Sequence, residues 1–143
     1  MKVIDGTDLS LGRMGARVAK YLLKGEEVVI LNAEKVAIAG SLNEIVRKYR
    51  KRMERKDKAN PEHSAKTPRR PDLFVKRAIR GMLPFKSSRG RDAFKKLRVY
   101  IGEPEEFKGA ERVNLSEASC RGVKGRYYSV KEVCERLGYR VFE

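Results

Sequence analysis

Lysine and arginine are the residues of this sequence that could do chemistry, judged by their number and by where they lie in the chain. Residues 41–100 hold 20 Lys and Arg but only 6 Asp and Glu, whereas residues 1–40 hold 6 against 5 and residues 101–143 hold 8 of each. The formal net charge of +15 therefore lies almost entirely in the middle of the chain. Such a concentration of cations is typical of a surface that binds a polyanion, because each cationic group can neutralise a phosphate.

The segment around which the chain is organised spans residues 68–102. Residues 72–82 predict a short amphipathic helix, since their apolar side chains share one face and a Gly and a Pro follow. Residues 85–91 predict a loop with three cations, two serines and a glycine that can lie close to phosphates. A turn of helix at 91–96 and a half-buried strand at 97–101 complete the segment.

The positive charge begins earlier, in a second predicted helix and a polar excursion. A Ser-x-x-Glu capping box at residues 41–44 opens the helix. Six cations between residues 47 and 55 crowd its polar face, and their mutual repulsion indicates an anionic partner. Residues 56–71 contain three prolines and almost no large apolar side chains. They predict a basic extended loop, with a plain disordered linker as the alternative.

We expect RNA contacts from the cations of these segments, together with one histidine and two serines. The candidate RNA-binding residues are Arg47, Lys48, Arg50, Lys51, Arg52, Arg55, Lys56, Lys58, His63, Lys66, Arg69, Arg70, Lys76, Arg77, Arg80, Lys86, Ser87, Ser88, Arg89, Arg91, Lys95 and Lys96.

The remaining segments predict the scaffold that positions these residues. Strands at 2–5, 26–31 and 36–38, with a helix between the first two, form a β-α-β unit that implies a parallel sheet. A second capping box opens a helix at 129–137. The expected fold class is α/β, a three-layer α/β/α arrangement with a mostly parallel sheet of about four strands. The length predicts a single domain over residues 1–143.

Catalysis and cofactor binding find little support in the sequence. Cys120, Cys134 and His63 are isolated, and a zinc site needs more ligands than these. No nucleophile–base pair or carboxylate dyad stands out. The glycines of the first turn depart from the spacing of a dinucleotide-binding motif; Gly12 and Gly15 are instead expected to let the helix pack closely on the sheet. We therefore expect no enzyme, no cofactor and no small-molecule substrate.

No apolar run is long enough to span a bilayer, and the first residues lead straight into a strand without a signal peptide. The acidic residues of segment 102–117 would be repelled by phosphate, so we expect that surface to face solvent or a basic protein. The sequence does not decide whether residues 119–126 contact RNA. Residues 139–142 are expected to dock on the domain.

The run from residue 77 to residue 107 resembles the signature of the large-subunit ribosomal protein uL13 family. That family carries an Arg-Gly-Met-Leu-Pro run, a basic loop, an Ala-aromatic-x-x-Leu helix turn and a Val-Tyr-x-Gly strand end. In this sequence they are residues 80–84, 86–91, 93–97 and 99–102. The Glu-Pro-Glu-Glu-Phe run that follows resembles the archaeal branch of the family.

The resemblance implies a structural constituent of the large (50S) ribosomal subunit that binds 23S rRNA through its basic surface and helps early subunit assembly. It implies neighbouring large-subunit ribosomal proteins as partners, a cytoplasmic, ribosome-bound location and no homo-oligomer. A regulator that binds messenger RNA outside the ribosome is the alternative, because the same basic surface would serve it.

Overall fold

A parallel sheet forms the centre of the protein. The structure, a computed structural model, describes residues 1–121 and 124–140. In chain order its strands and α-helices are β1 (Lys2–Asp5), α1 (Leu11–Leu23), β2 (Val28–Leu31), β3 (Ala37–Ala39), α2 (Leu42–Glu54), α3 (Pro71–Arg80), α4 (Ser88–Lys95), β4 (Leu97–Val99), β5 (Tyr127–Ser129) and α5 (Val130–Arg136).

Strand β2 lies between β1 and β4, and both pairings are parallel. Val28 lies opposite Lys2 in β1 and opposite Leu97 in β4. All four residues of β2 are apolar and buried, as a strand covered on both faces requires. The predicted β-α-β unit and its parallel sheet are therefore confirmed.

The two faces of this sheet are covered differently. Ile4 and Ile30 point into a large apolar core that receives buried side chains from each of α1 to α5. On the other face, Val29 and Leu31 are covered by Phe107, which belongs to a 3-10 helix at Glu105–Phe107. The α/β class and the layered, mostly parallel sheet are as predicted, with a 3-10 turn serving as the outer layer on the second face.

The strand predicted at 36–38 does not join the parallel sheet, which has three strands instead of about four. It is observed one residue later as β3 and pairs antiparallel with β5, Ile38 opposite Tyr128. The backbone N–H of Val130 extends this ribbon by donating to the Val36 carbonyl at 2.8 Å. Apolar periodicity identifies a strand but not its partner, and the partner here lies about 90 residues further along the chain.

The predicted loop at 85–91 is wrong in its second half, because α4 begins at Ser88. The Ser87 hydroxyl accepts a hydrogen bond from the Gly90 N–H at 3.2 Å and so caps the helix. Gly90 is buried, and a Cβ added there would lie 2.0 Å from the Pro84 carbonyl oxygen. This glycine therefore serves the packing of the turn on the helix, and it does not open the backbone to phosphate.

The first helix of the basic segment, α3, ends at Arg80, two residues before its predicted end. Met82, predicted on the buried face, is 40% exposed, and Leu83 is buried in the core instead. A Cβ on Gly15 would lie 2.8 Å from the Met82 sulfur, so Gly15 lets this turn approach α1. The expected close packing of both glycines on the sheet is wrong, since Gly15 faces α3 and the turn after it, and no described atom would lie within 4 Å of a Cβ on Gly12.

The excursion at 56–71 is less extended than predicted. Its tip is a closed turn, in which the Asp57 N–H donates to the Ser64 hydroxyl at 2.8 Å and a 3-10 helix spans Pro61–His63. None of residues 56–70 is buried. The absence of core side chains was correctly predicted, but the short-range hydrogen bonds of Asp and Asn in this turn were not.

Candidate nucleic-acid interface

The outward face of α2 carries a dense row of cations. Arg47, Lys48, Arg50, Lys51 and Arg52 are all exposed. The apolar side of the same helix is as predicted, with Ile45 buried and Leu42, Val46, Tyr49 and Met53 packed against the core. Core packing therefore fixes the direction in which these cations point.

A first cleft, of about 470 Å³, lies between α2 and α5. Its cations are Arg47, Arg50 and Lys51 of α2 together with Arg136 of α5. No charge pattern selects Arg136, because residues 101–143 hold equal numbers of basic and acidic side chains. Its only signal is its place in the last turn of an amphipathic helix, and the contact of α5 with α2 is a property of the fold.

A second cleft, of about 410 Å³, is bounded by α2, the excursion and α3. Arg52, Arg55 and Arg77 are its cations. Tyr49 and Phe74 form part of its lining, with their ring centroids 4.7 Å apart. Three segments that are separate in sequence thus contribute to one cationic depression.

A third cleft, open and about 600 Å³ in volume, follows the turn between α3 and α4. Arg77, Arg80 and Lys86 supply its charge, and Leu83, Pro84 and Phe85 supply apolar surface. Arg77 also lines the second cleft, so the two depressions adjoin.

Ion pairing differs between the cleft cations and several cations elsewhere in the protein. Outside the basic middle of the chain, six cations have an acidic partner among the described residues. Such pairs join Lys2 to Glu26, Arg17 to Glu117, Arg121 to Asp8 and Lys131 to Glu135. The cations that line the three clefts make no ion pair with any residue that the structure describes. They therefore remain available to an external anion.

Three predicted site residues make hydrogen bonds or ion pairs with other groups of the same chain. Arg70 holds the carboxylate of Asp72, which is only 8% exposed, with its Nε 2.9 Å from Oδ1. This hydrogen bond raises the pKa of Arg70 above its ordinary value. Lys96 donates to the Gly25 carbonyl at 2.9 Å, and Lys95 lies 3.2 Å from Asp92.

The remaining candidates lie outside the clefts, apart from Ser87, which borders the third. Ser87 also donates its hydroxyl proton to the Pro84 carbonyl at 2.8 Å, so the hydroxyl is occupied within the chain. Lys76 is half-buried and lies over the Phe94 ring. Lys48 is exposed on α2, and the other candidates are exposed on the excursion or on α4. They are Lys56, Lys58, His63, Lys66, Arg69, Ser88, Arg89 and Arg91.

The first part of the acidic segment, residues 103–111, lies on the face of the sheet opposite the helices, since Phe107 and Ala110 pack there. Asp5, at the end of β1, helps to hold it by accepting from Arg112 at 2.8 Å. Burial alone would raise the pKa of Asp5, but hydrogen bonds from Thr7 and Asn32 and the charge of Arg112 outweigh it. The pKa is therefore lowered from its ordinary value.

The structure supplies no competing chemical centre in the part of the chain that it describes. Cys120 and Cys134 are both buried, and burial raises the pKa of the Cys134 thiol to about 12. Cys134 is therefore a core residue, as predicted. Residues 1–121 and 124–140 contain no group of three or more potential metal ligands and no helix that could cross a membrane. Of the predicted docking segment at 139–142, Tyr139 packs against the core, and residues 141 and 142 lie outside the described residues.

Comparison with known proteins gives a consistent result. A family model described as Ribosomal protein L13 matches residues 1–106. The large ribosomal subunit protein uL13 of Methanosarcina barkeri is 43% identical over 140 residues, which cover 96% of this chain and 98% of that protein. The proteins of the same name from Archaeoglobus fulgidus and Methanocaldococcus jannaschii are 41% and 40% identical. Each match covers 96% of this chain, and the matches cover 88% and 98% of those relatives. The predicted resemblance is confirmed, and the chain belongs to the ribosomal protein uL13 family.

Proposed function

We propose that the chain is a structural protein of the large ribosomal subunit that binds 23S rRNA through the three clefts and the exposed cations around them. The observation that carries this proposal is the clustering of cations without an acidic partner. Several cations elsewhere are paired with Asp or Glu, whereas none of those that line the three clefts has such a partner among the described residues. The relatives are named as large-subunit proteins, which supports the ribosome as the place of binding.

The proposed mechanism is electrostatic and geometric. Lys and Arg side chains neutralise phosphates and release condensed counterions, which drives association. The apolar faces of α2 and α3 are fixed in the core, so the cations are presented in a constant arrangement. This arrangement suits RNA helices that converge, because the clefts can accept backbone from more than one direction. No reaction is catalysed in this proposal.

Several further properties are proposed from the resemblance and the charge distribution. We expect residues 1–143 to act as one domain, since a single core draws on elements from β1 to α5. The acidic segment is expected to face solvent or a basic neighbouring ribosomal protein. The protein would act as a single copy on the ribosome in the cytoplasm, and its binding would help the RNA fold early in subunit assembly.

The charge prediction is tested by replacing Arg47, Arg50 and Lys51 together with Gln. Binding to a host 23S rRNA fragment, measured by filter binding across a salt series, should weaken. The slope of log K against log salt should become shallower by about 2, because three phosphate contacts are lost.

The matched control replaces Lys20, Lys24 and Lys35 with Gln, since these cations are also exposed but lie outside the clefts. This variant should bind almost as tightly as the native protein. Equal losses in the two variants would show that affinity follows net charge alone, and the assignment of the interface would then be wrong.

Residence in the ribosome is tested by sucrose-gradient fractionation of a host lysate at low and high salt. Co-migration with the large subunit after a high-salt wash is the expected result. A protein that remained at the top of the gradient would not be a ribosomal constituent, and binding to a messenger RNA would then be the function to examine.

A further inference from the structure

We propose that the third cleft holds an unpaired RNA base stacked on the guanidinium of Arg80. This inference rests on the proposed RNA binding and names one kind of nucleotide that the cleft would bind. That nucleotide lies in a bulge or a loop, because the bases of a continuous duplex are paired and stacked on each other.

The first support is the rigid stacking arrangement at the cleft. The guanidinium carbon of Arg80 lies 3.8 Å from the centroid of the Phe85 ring. Phe85 meets Phe94 edge-to-face, with centroids 5.5 Å apart and ring planes at 89°. Lys76 lies over Phe94, with its Nζ 5.4 Å from the ring centroid. Each group fixes the next, so Arg80 is held in place before any ligand arrives.

The second support is the mixture of surfaces that the cleft presents. Leu83, Pro84 and Phe85 form an apolar lining, and Arg77 and Lys86 stand beside it. A phosphate needs cations and polar donors, but it gains nothing from an apolar wall. A nucleotide needs both, because its base buries an aromatic face while its phosphate remains charged. The lining therefore fits an unstacked nucleotide better than a continuous duplex.

The third support is the state of the Arg80 side chain. It is half-buried, with one face on Phe85, and it makes no ion pair with any described residue. Planar guanidinium groups stack on bases and can also donate N–H groups to phosphate oxygens. The face of Arg80 away from Phe85 is the position that we assign to the base.

A purely structural role for the stack would hold the turn between α3 and α4 in place, but it would predict no preference among RNAs. The experiment therefore compares two probes with the same stem. One is a fully paired RNA hairpin, and the other carries a single 2-aminopurine bulge. Affinity is measured by fluorescence anisotropy, and base stacking is measured by the fluorescence of 2-aminopurine itself.

The native protein should bind the bulged hairpin more tightly and quench its 2-aminopurine. Arg80→Lys keeps the charge but removes the planar group, so it should lose most of the quenching. Its affinity for the bulged probe should fall by about tenfold, with little change for the paired probe. Phe85→Leu keeps apolar volume and should act in the same direction. Arg17→Lys, an exposed control outside the clefts with the same chemical change, should behave as the native protein.

The outcomes separate this inference from the function on which it rests. If both hairpins bind equally without quenching, RNA binding stands and the base-stacking site is wrong. If neither hairpin nor 23S rRNA binds, the proposed function fails first. If Phe85→Leu does not fold by circular dichroism, Arg80→Lys still decides the question. Unchanged quenching in Arg80→Lys would overturn the proposal.

Discussion

Gly90 is the residue whose replacement should have the clearest local effect. The Cβ of Gly90→Ala would lie 2.0 Å from the Pro84 carbonyl oxygen, a backbone atom that cannot move aside cheaply. We expect the free energy of unfolding, measured with urea, to fall by about 3 kcal/mol, toward the upper end of overpacking effects.

Gly12→Ala is the matched control for this substitution. Gly12 lies within α1, and a Cβ there would have no described atom within 4 Å. Alanine is the better helix former, so this variant should be more stable by about 0.5–1 kcal/mol. Similar destabilisation by both substitutions would show that the tight approach at Gly90 is not the cause.

Asp5 should make stability depend on pH in the acid range. Its pKa is lowered in the folded protein from the ordinary value of 3.8, so folding favours the ionised carboxylate. The stabilisation is complete above the unfolded pKa and is lost as pH falls through the lower folded pKa. Asp5→Asn should therefore be less stable than the native protein at pH 7, and the difference should shrink below about pH 4.

Urea unfolding of both proteins between pH 2 and pH 7 checks this prediction. A difference in stability that stayed constant across the whole range would mean that the charge of Asp5 is not responsible. It would then be the shape of the side chain that matters, or its hydrogen bonds to Thr7 and Asn32.

Residue identity alone does not assign different roles to Arg70 and Arg80. Both were predicted as RNA contacts because both are cations in the same basic segment. The structure gives Arg70 a carboxylate partner two residues away, at the start of α3, and places Arg80 over an aromatic ring. The Arg-x-Asp spacing was visible in the sequence, but the burial of Asp72 that makes the pair strong depends on packing.

At the level of whole elements, two helices begin with the same Ser-x-x-Glu sequence but are capped differently. The Ser129 hydroxyl accepts a hydrogen bond from the Glu132 N–H at 3.3 Å at the start of α5. Within the described structure, the Ser41 side chain makes no such bond at the start of α2. Ser129→Ala should therefore lower the free energy of unfolding by about 1 kcal/mol, and Ser41→Ala by only a few tenths.

Thermal unfolding of the two variants side by side is the measurement. Equal losses would show that Ser41 caps its helix in solution. A larger loss for Ser41→Ala than for Ser129→Ala would contradict the assignment of the caps to these two helices.

The helices and the central strands were predictable because their signals are local. The apolar positions of α1, α2 and α5 recur at helical spacing, and the positive-φ glycines Gly25 and Gly138 follow the ends of α1 and α5. The start of α4 was misplaced, since a Ser-Ser-Arg-Gly run is typical of a loop until Ser87 is seen to cap it. Pairing between distant strands and the contact of α5 with α2 depend on the whole chain, so no local sequence pattern predicted them.

For the molecule as a whole, salt should act in opposite directions on folding and on RNA binding. The free protein has a net charge of +15, and its cleft cations repel one another. Raising the salt concentration from roughly 10 mM to 100 mM shortens the screening length from about 30 Å to 10 Å. The melting temperature of the free protein should therefore rise, while the affinity for RNA should fall.

Scanning calorimetry at the two salt concentrations checks the first half of this prediction. The Gln variant at positions 47, 50 and 51 should respond less to salt than the native protein, because part of the repulsion is already gone. A melting temperature that fell as salt was added would show that attractive ion pairs dominate the folded state.

The sheet separates two kinds of charge, and this has a consequence for how the molecule approaches RNA. The cation-bearing helices pack on one face, and the segment that holds Glu103, Glu105, Glu106 and Glu111 packs on the other. The protein is therefore an electric dipole whose axis crosses the sheet. In the field of a phosphate backbone, a torque would act on that dipole and turn the helical face toward the proposed RNA partner before contact. Fewer encounters would then be misoriented, and association would be faster than net charge alone gives.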